Sequence, residues 1–492
     1  MVVLAANDKG KSLTLKRPKA TVQSSLNVDN RHTGPKNKKR PTEEWRHTMQ
    51  SSGRPLRSSS TDDKIFRKIM WRLMPILCVC YVFNYLDRTN VGYAQLQMKE
   101  ILQFSDAVFG LGASVFFVGY ALFEVPSNML MARIGVRGTL LRILCLWGIA
   151  SAAMVFVRTP TQFYVLRFLV GVFEAGFAPG VLYYLTLWFP QQRLAQVTAI
   201  FFMSFSVAPI VAGPTAGAIM TYLDGTSGLH GWQWLYILEG IPCIALGIAA
   251  FLILPNRPID APWLSTQEKA RIGELLGAVS ATTAGHGAGL RDVIKDARVW
   301  ALGIVAFLVL LGIYALAFWK PTILKGMGLT IMQVGLYSAI PAIAGVTSAI
   351  VLGRHSDRTG ERRWHFAVAA IVAATGLMLT TLFPTRPGAA ILCLALSSAG
   401  TSLAYVVVWS MPSTVLSGRS TAGGIALIST VAATAGIVAP AAVGAIKSAT
   451  GGFIVSLYLF LSSALIVAAV VFLWTFRTHR AYHRPTPLSE AH

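Results

Sequence analysis

Twelve apolar runs, most of them long enough to cross a lipid bilayer, recur between residues 70 and 476 and leave few folds open. A spanning helix needs about 20 apolar residues, and its backbone polar groups must be paired within the segment. The runs fall near 70–93, 107–131, 139–158, 162–188, 195–222 and 232–254, then near 299–322, 331–353, 365–384, 389–416, 421–446 and 453–476. The alternating segments of about ten residues that mark a membrane barrel are absent. Composition agrees, since 54% of the 492 residues are hydrophobic and 13% charged, against about 25% charged in soluble domains. The expected fold class is all-α integral membrane, with twelve transmembrane helices.

One long polar insertion, 255–298, splits the runs six and six. The expected organisation is therefore a disordered basic tail over 1–64, a six-helix bundle over 65–254, a cytoplasmic loop over 255–298, a second bundle over 299–477 and a tail over 478–492. Within the insertion, Ser265 and Glu268 stand three residues apart in "STQEKARIGELL", a helix-start signal.

The net charge of +22 raises the question of nucleic acid, and its placement answers it. Residues 1–69 hold 16 Lys/Arg against 6 Asp/Glu, and most of the remainder lies in short loops between runs. That pattern fits topology and contact with anionic lipid, and no nucleic-acid partner is expected. Loops and tail on one side carry 18 Lys/Arg, among them Arg133, Arg358 and Arg363, against 5 on the other. Both termini are expected to be cytoplasmic. All five cysteines lie inside apolar runs without a CxxC pair and read as small buried hydrophobes.

Few ionisable residues remain inside the runs: Asp87, Arg88, Glu124, Arg167, Glu174, Glu239 and Lys320. A charge within a membrane segment is costly and marks a functional site by default. Asp87 and Arg88 sit about six residues from the end of the first run, and Arg167 about six from the start of the fourth, each roughly 9 Å deep. Glu174 follows Arg167 by two turns, so two arginines and two carboxylates are expected to converge if both helices face one cavity. Guanidinium groups fork onto carboxylates, whereas a carboxyl removed from water can carry a proton. This divides the labour: Arg88 and Arg167 for an anion, Asp87 and Glu174 for protons. None of the nine histidines falls in the interior of a run, no nucleophile–base pair or metal-ligand cluster is evident, and no GxxxxGK[ST] loop exists. Neither an enzyme, a metal site, a cofactor other than protons nor ATP-driven transport is expected. A non-transporting anion sensor would want a signalling domain, which neither tail supplies.

Two loops repeat. "NMLMARIGVR" (128–137) and "GRHSDRTGERR" (353–363) both carry Arg-x-Gly after the second run of a half. Six plus six runs with this loop resemble the major facilitator superfamily, whose two pseudo-symmetric bundles work by alternating access. The family's loop is intact at Gly353, Asp357, Arg358 and Gly360, and is reduced at Asn128, Ala132 and Arg133. "NYLDRTNVGYA", "FEVPSNMLMARIG", "RFLVGVFEAGFAPGVLYYLTLWFP", "GWQWLYILEGIP" and "APWLSTQEK" are similar to the anion:cation symporter family, whose members move tartrate, hexonates, phthalate or hydroxyphenylacetate with protons. The resemblance implies proton coupling at Asp87 and Glu174, and an anion site with Arg88, Arg167, Tyr85, Tyr120 and Trp409. Ser204 stands where sugar-acid relatives carry a glutamine, and Ser429 and Ala433 where they carry asparagines. Fewer amides point away from hexonates, toward a tartrate-like dicarboxylate or an aromatic acid. Lys320 either snorkels to the outer surface or supplies a second cation. Glu124 is expected to brace a cytoplasmic gate, Gly176 and Gly180 to pack tightly, and Pro179 to bend or unwind the fourth helix. Glu239 has no role beyond a family motif. A monomer in the inner membrane is expected to suffice.

Overall fold

The computed structural model describes residues 60–280, 294–412, 420–453 and 458–476; most of the expected N-terminal tail and all of the C-terminal one fall outside them. Twelve helices are long and apolar enough to span a bilayer: α1 (Thr61–Leu102), α2 (Asp106–Met131), α3 (Arg133–Phe156), α4 (Pro160–Thr186), α5 (Gln191–Tyr222), α6 (Gly231–Ile253), α7 (Ala297–Gly326), α8 (Ile331–Thr359), α9 (Arg363–Thr380), α10 (Pro387–Ser410), α11 (Gly424–Thr450) and α12 (Tyr458–Thr475). Each matches one apolar run. With an even number of spans, α1 starts and α12 ends on one side, called here the tail side; the other is the far side.

The largest difference from expectation is the length of α1, which outruns its apolar core at both ends. At its start Ile65, Phe66 and Ile69 are buried, so residues 60–64 are helical rather than part of a tail. At its far end Gln95 donates to the Phe318 carbonyl and to Thr322, while Gln97 donates to the Met220 carbonyl at 3.3 Å and accepts from the Trp232 amide at 2.8 Å. Glutamines paired with neighbouring helices need no water, which hydropathy alone does not register.

The Arg-x-Gly repeat has a backbone cause. Gly135 (φ 76°) breaks the chain between α2 and α3, and Gly360 (φ 67°) closes α8. Both hold the left-handed conformation that disfavours any residue with a Cβ. In the first half the turn is tied down by Asn256, whose Oδ1 accepts from the Arg137 amide at 3.0 Å.

The two halves meet at the far side. A methyl group on Gly92 would lie 2.7 Å from the Phe318 carbonyl oxygen, and one on Gly213 2.5 Å from that of Gly335; Gly110 abuts Pro440. Glycine lets these backbones touch. Polar contacts join α2 to α11 at the same end: Ser114 accepts from the Ala441 amide at 3.1 Å, and Ser448 from the Ala107 amide at 3.0 Å. Asp106 takes both Lys447 (3.1 Å) and Lys99 (2.9 Å).

On the tail side the insertion is fastened to the first half. Its helix, Thr266–Ser280, begins with the expected capping box, the Ser265 amide donating to Glu268 at 2.8 Å and the Glu268 amide to Ser265 Oγ at 3.1 Å. Lys68 pairs with Glu268 at 2.9 Å, and Arg271 forks onto Asp62 at 3.0 and 3.1 Å. Trp263 stacks on Trp188 with ring centres 5.7 Å apart.

Candidate functional site: a buried charge array in the first half

Adjacent residues on a helix point about 100° apart, and this separates Asp87 from Arg88. Arg88 reaches α4, where it forms an ion pair with Glu174. Its guanidinium lies 4.9 Å over the Tyr120 ring, and its side chain keeps 18% exposure whereas that of Glu174 keeps none. Asp87 turns into the first half, accepting from Ser151 of α3 and from Asn90 at 3.3 Å. Its Oδ2 has no hydrogen-bond partner among the described residues.

Glu174 in turn lies within the electrostatic reach of Asp87, so the four charges gather as two linked pairs, Arg88 with Glu174 and Arg167 beside Asp87. Both pairs adjoin the ring of Phe116, with the Arg88 guanidinium 5.6 Å and the Arg167 guanidinium 5.0 Å from its centre. Arg167 is 1% exposed, lies within the electrostatic reach of Asp87, and leaves Nε and Nη2 without partners among the described residues. Close backbone approach sets this geometry. Gly171 of α4 abuts the Phe116 carbonyl, and a methyl group on Gly119 would lie 2.5 Å from the Phe168 carbonyl oxygen. Phe116, Tyr120 and Glu124 form an i, i+4, i+8 stripe on α2, a signal the sequence carried but its reading passed over.

α4 is broken just after Glu174. The first segment ends at Glu174, Gly176 adopts φ 90°, and the second runs Phe177–Thr186. Pro179 explains the position, because its ring excludes the carbonyl of Ala175, four residues back, and it has no N–H to donate there. A methyl group on Gly176 would lie 2.6 Å from Ser127 Oγ, so this glycine serves both the turn and the approach of α2. Gly180 makes the milder contact, with Met131 Sδ 3.3 Å from such a methyl.

The remaining expected site residues are dispersed. Tyr85 packs with Leu86, Ala208 and Ala212, beside Arg88 in sequence. Ser204 is a correction: it neighbours Cys78, ten residues before Arg88 on α1 and so about 15 Å away along the axis. Ala208, which packs with Leu86 and Tyr85, comes level with the charges. Lys320 does not snorkel; its Nζ donates to the Ser338 carbonyl of α8 at 2.9 Å, more than a turn to the far side of Arg88. Glu124 lies one turn tailward of Tyr120, where it interacts with Arg88 and Tyr120, so it faces the cleft rather than a loop. Trp409 packs against Tyr405 (6.1 Å, edge-on). In the loops, Arg133 is exposed, Asp357 pairs with Arg362 at 3.1 Å, Arg358 is exposed, and Gly353 is buried against Val406. Missed by sequence reasoning are Tyr81 and Tyr314, both within the electrostatic reach of Arg88, and Tyr405, which lies within reach of those two. Tyr314 also meets Phe117 edge-on at 4.9 Å, bringing α7 of the second half to the site.

A buried arginine–glutamate pair beside a broken helix, walled by tyrosines from both halves, suits an anion that would compete for the arginine. Comparison with known proteins places this architecture. The chain is 43% identical over 410 residues to NicT of Pseudomonas putida, a candidate metabolite transport protein, covering 82% of this chain and 94% of that protein. It is 41% identical over 421 residues to a candidate tartrate transporter of Agrobacterium vitis, covering 86% and 96%. A bacterial homologue of the human lysosomal transporter Spinster, solved inward-facing and occupied, shares the fold with a TM-score of 0.68 at 17% identity, over 83% of this chain and 97% of that one. The family model of the Major Facilitator Superfamily matches residues 77–440. With twelve spans in two halves and this match, the chain belongs to the major facilitator superfamily.

Proposed function

We propose that this chain is a proton-coupled symporter that imports a small organic carboxylate across the inner membrane, with both termini cytoplasmic and one chain sufficient. The observation that carries the reading is the Arg88–Glu174 pair. An incoming carboxylate needs the guanidinium that Glu174 occupies. A proton on Glu174 neutralises it and frees the fork of Arg88 for the substrate, so proton and anion binding favour one another. The anion would otherwise move against an inside-negative potential, at about 2.3 kcal/mol per charge per 100 mV. With the tail side cytoplasmic, the far-side contacts between halves correspond to an inward-facing state of the alternating-access cycle.

The lining favours an aromatic acid. Phe116, Tyr120 and Tyr314 surround one available arginine, a setting for a ring with one carboxylate rather than for many hydroxyls. Similarity to a candidate tartrate transporter supports the dicarboxylate reading beside it. A hexonate, with several hydroxyls to satisfy, fits this aromatic lining less well.

Reconstituted protein given labelled tartrate, phthalate, hydroxyphenylacetate and a hexonate tests both points. Acid outside should drive accumulation of at least one, and Glu174→Gln should abolish the gradient's effect. Uptake indifferent to the gradient in wild type would refute symport.

A further inference from the structure

Glu239 on α6 takes no part in holding Arg88, yet it is 2% exposed. The next residue, Gly240, lies against Gly148 of α3, where a methyl group on Gly148 would sit 2.6 Å from the Gly240 carbonyl oxygen. The electrostatic neighbours of Glu239 are Asp87 and Asn90 of α1, and Asn90 also donates to Asp87 at 3.3 Å.

Charge counting sets the problem. Arg88 and Glu174 neutralise each other. Left over are one guanidinium, Arg167, and two carboxyls, Asp87 and Glu239, all nearly inaccessible. Fully ionised, this group would carry an uncompensated negative charge in the membrane interior, which is strongly unfavourable. One proton restores balance. The polar atoms here are not fully paired: Asp87 Oδ2, Asn90 Oδ1 and Glu239 Oε2 are buried acceptors without a hydrogen-bond partner among the described residues, as are the donors Trp147 Nε1, Arg167 Nε and Nη2, and Tyr236 Oη. A proton on either carboxyl turns one of these acceptors into a donor.

Other groups that face the pair are few. Ser151 and Trp147 approach from α3 and Arg167 from α4. Tyr236 and Cys243 approach from α6 itself, and Tyr93 from α1. Glu174 also feels Asp87. Arg167 is the one cation among these groups.

We propose that Asp87 and Glu239 share a single proton across Asn90 and act as one protonation site, with Arg167 as its fixed counter-charge. The proton forms an O–H bond to one carboxyl at a time, Asp87 or Glu239, and the net charge of the group is the same in either case. This deepens the symport reading, on which its use in transport rests, by adding a proton-holding carboxyl outside the anion cleft.

Infrared spectroscopy of the purified full-length protein, read at the carbonyl stretch of a protonated carboxyl, tests it without substrate or gradient. A Glu174→Gln background removes the other carboxyl of the charge array, and Asp62, buried at the tail side, is ion-paired with Arg271. At neutral pH that background should show one protonated-carboxyl band. Asp87→Asn and Glu239→Gln should each lose it, because the surviving carboxyl then balances Arg167 and ionises. Retention of the band in either variant would overturn sharing, since one residue would then hold its own proton. If Asp87→Asn does not fold, Asp87→Ala makes the same comparison. Gradient-independent uptake would refute symport and leave this result standing, so the two failures are separable.

Discussion

At the scale of single residues, the site turns on Arg88. It is held by Glu174 and lies over Tyr120, so its planar fork is already oriented. A lysine keeps the charge and loses the fork. A hydrogen bond to a charged group is worth about 1.5–3 kcal/mol, so Arg88→Lys should weaken carboxylate binding by roughly 10- to 100-fold, measured by calorimetric titration with the acid that is transported best. Unchanged affinity would remove Arg88 from the anion site. The residue types at this site were legible in the sequence, because charges inside apolar runs are rare. Their partition was not. Asp87 and Arg88 are neighbours in the chain, and only the rotation of α1 against α3 and α4 sends one into the bundle and the other to Glu174.

At the scale of elements, the apolar runs announced twelve helices, but their ends and interruptions depended on partners. The far end of α1 extends past its apolar run because its terminal glutamines bond to α5, α6 and α7. The break in α4 was half-legible: Pro179 was visible, while the turn falls at Gly176, three residues earlier. The insertion helix offers a test by pH. Partial burial pushes the Glu268 carboxyl up, but hydrogen bonds from Lys68 and from Ser265 outweigh this, and it ends below the ordinary carboxylate range. A depressed carboxyl contributes stability that is full above its unfolded value and is lost as pH falls through the folded one. Hydrogen-exchange protection factors across the Thr266–Ser280 helix, corrected for the intrinsic rate at each pH, should therefore stay high at neutral pH and fall below about pH 4. Glu268→Gln should exchange faster at neutral pH and lose that acid step. An acid step unchanged in the variant would contradict the pairing with Lys68.

At the scale of the whole molecule, two halves touch through glycine at the far side, and a charge pair lies between them where tyrosines of both converge. Such a contact can separate without stripping large side chains from a packed core, which suits alternating access. The twofold plan was legible because the Arg-x-Gly turns need left-handed glycine in both halves. Which far-side residues meet was not, since Gly92, Gly110, Gly213 and Gly335 lie in four different spans and no local pattern pairs them. The proposed coupling has one direct measurement: the affinity of the purified protein for its transported carboxylate as a function of pH, in wild type and in Glu174→Gln. Wild-type affinity should strengthen as pH falls, because a proton on Glu174 releases Arg88, and the variant should bind tightly with little pH dependence. A variant whose affinity follows pH as steeply as wild type would contradict the release of Arg88 by Glu174.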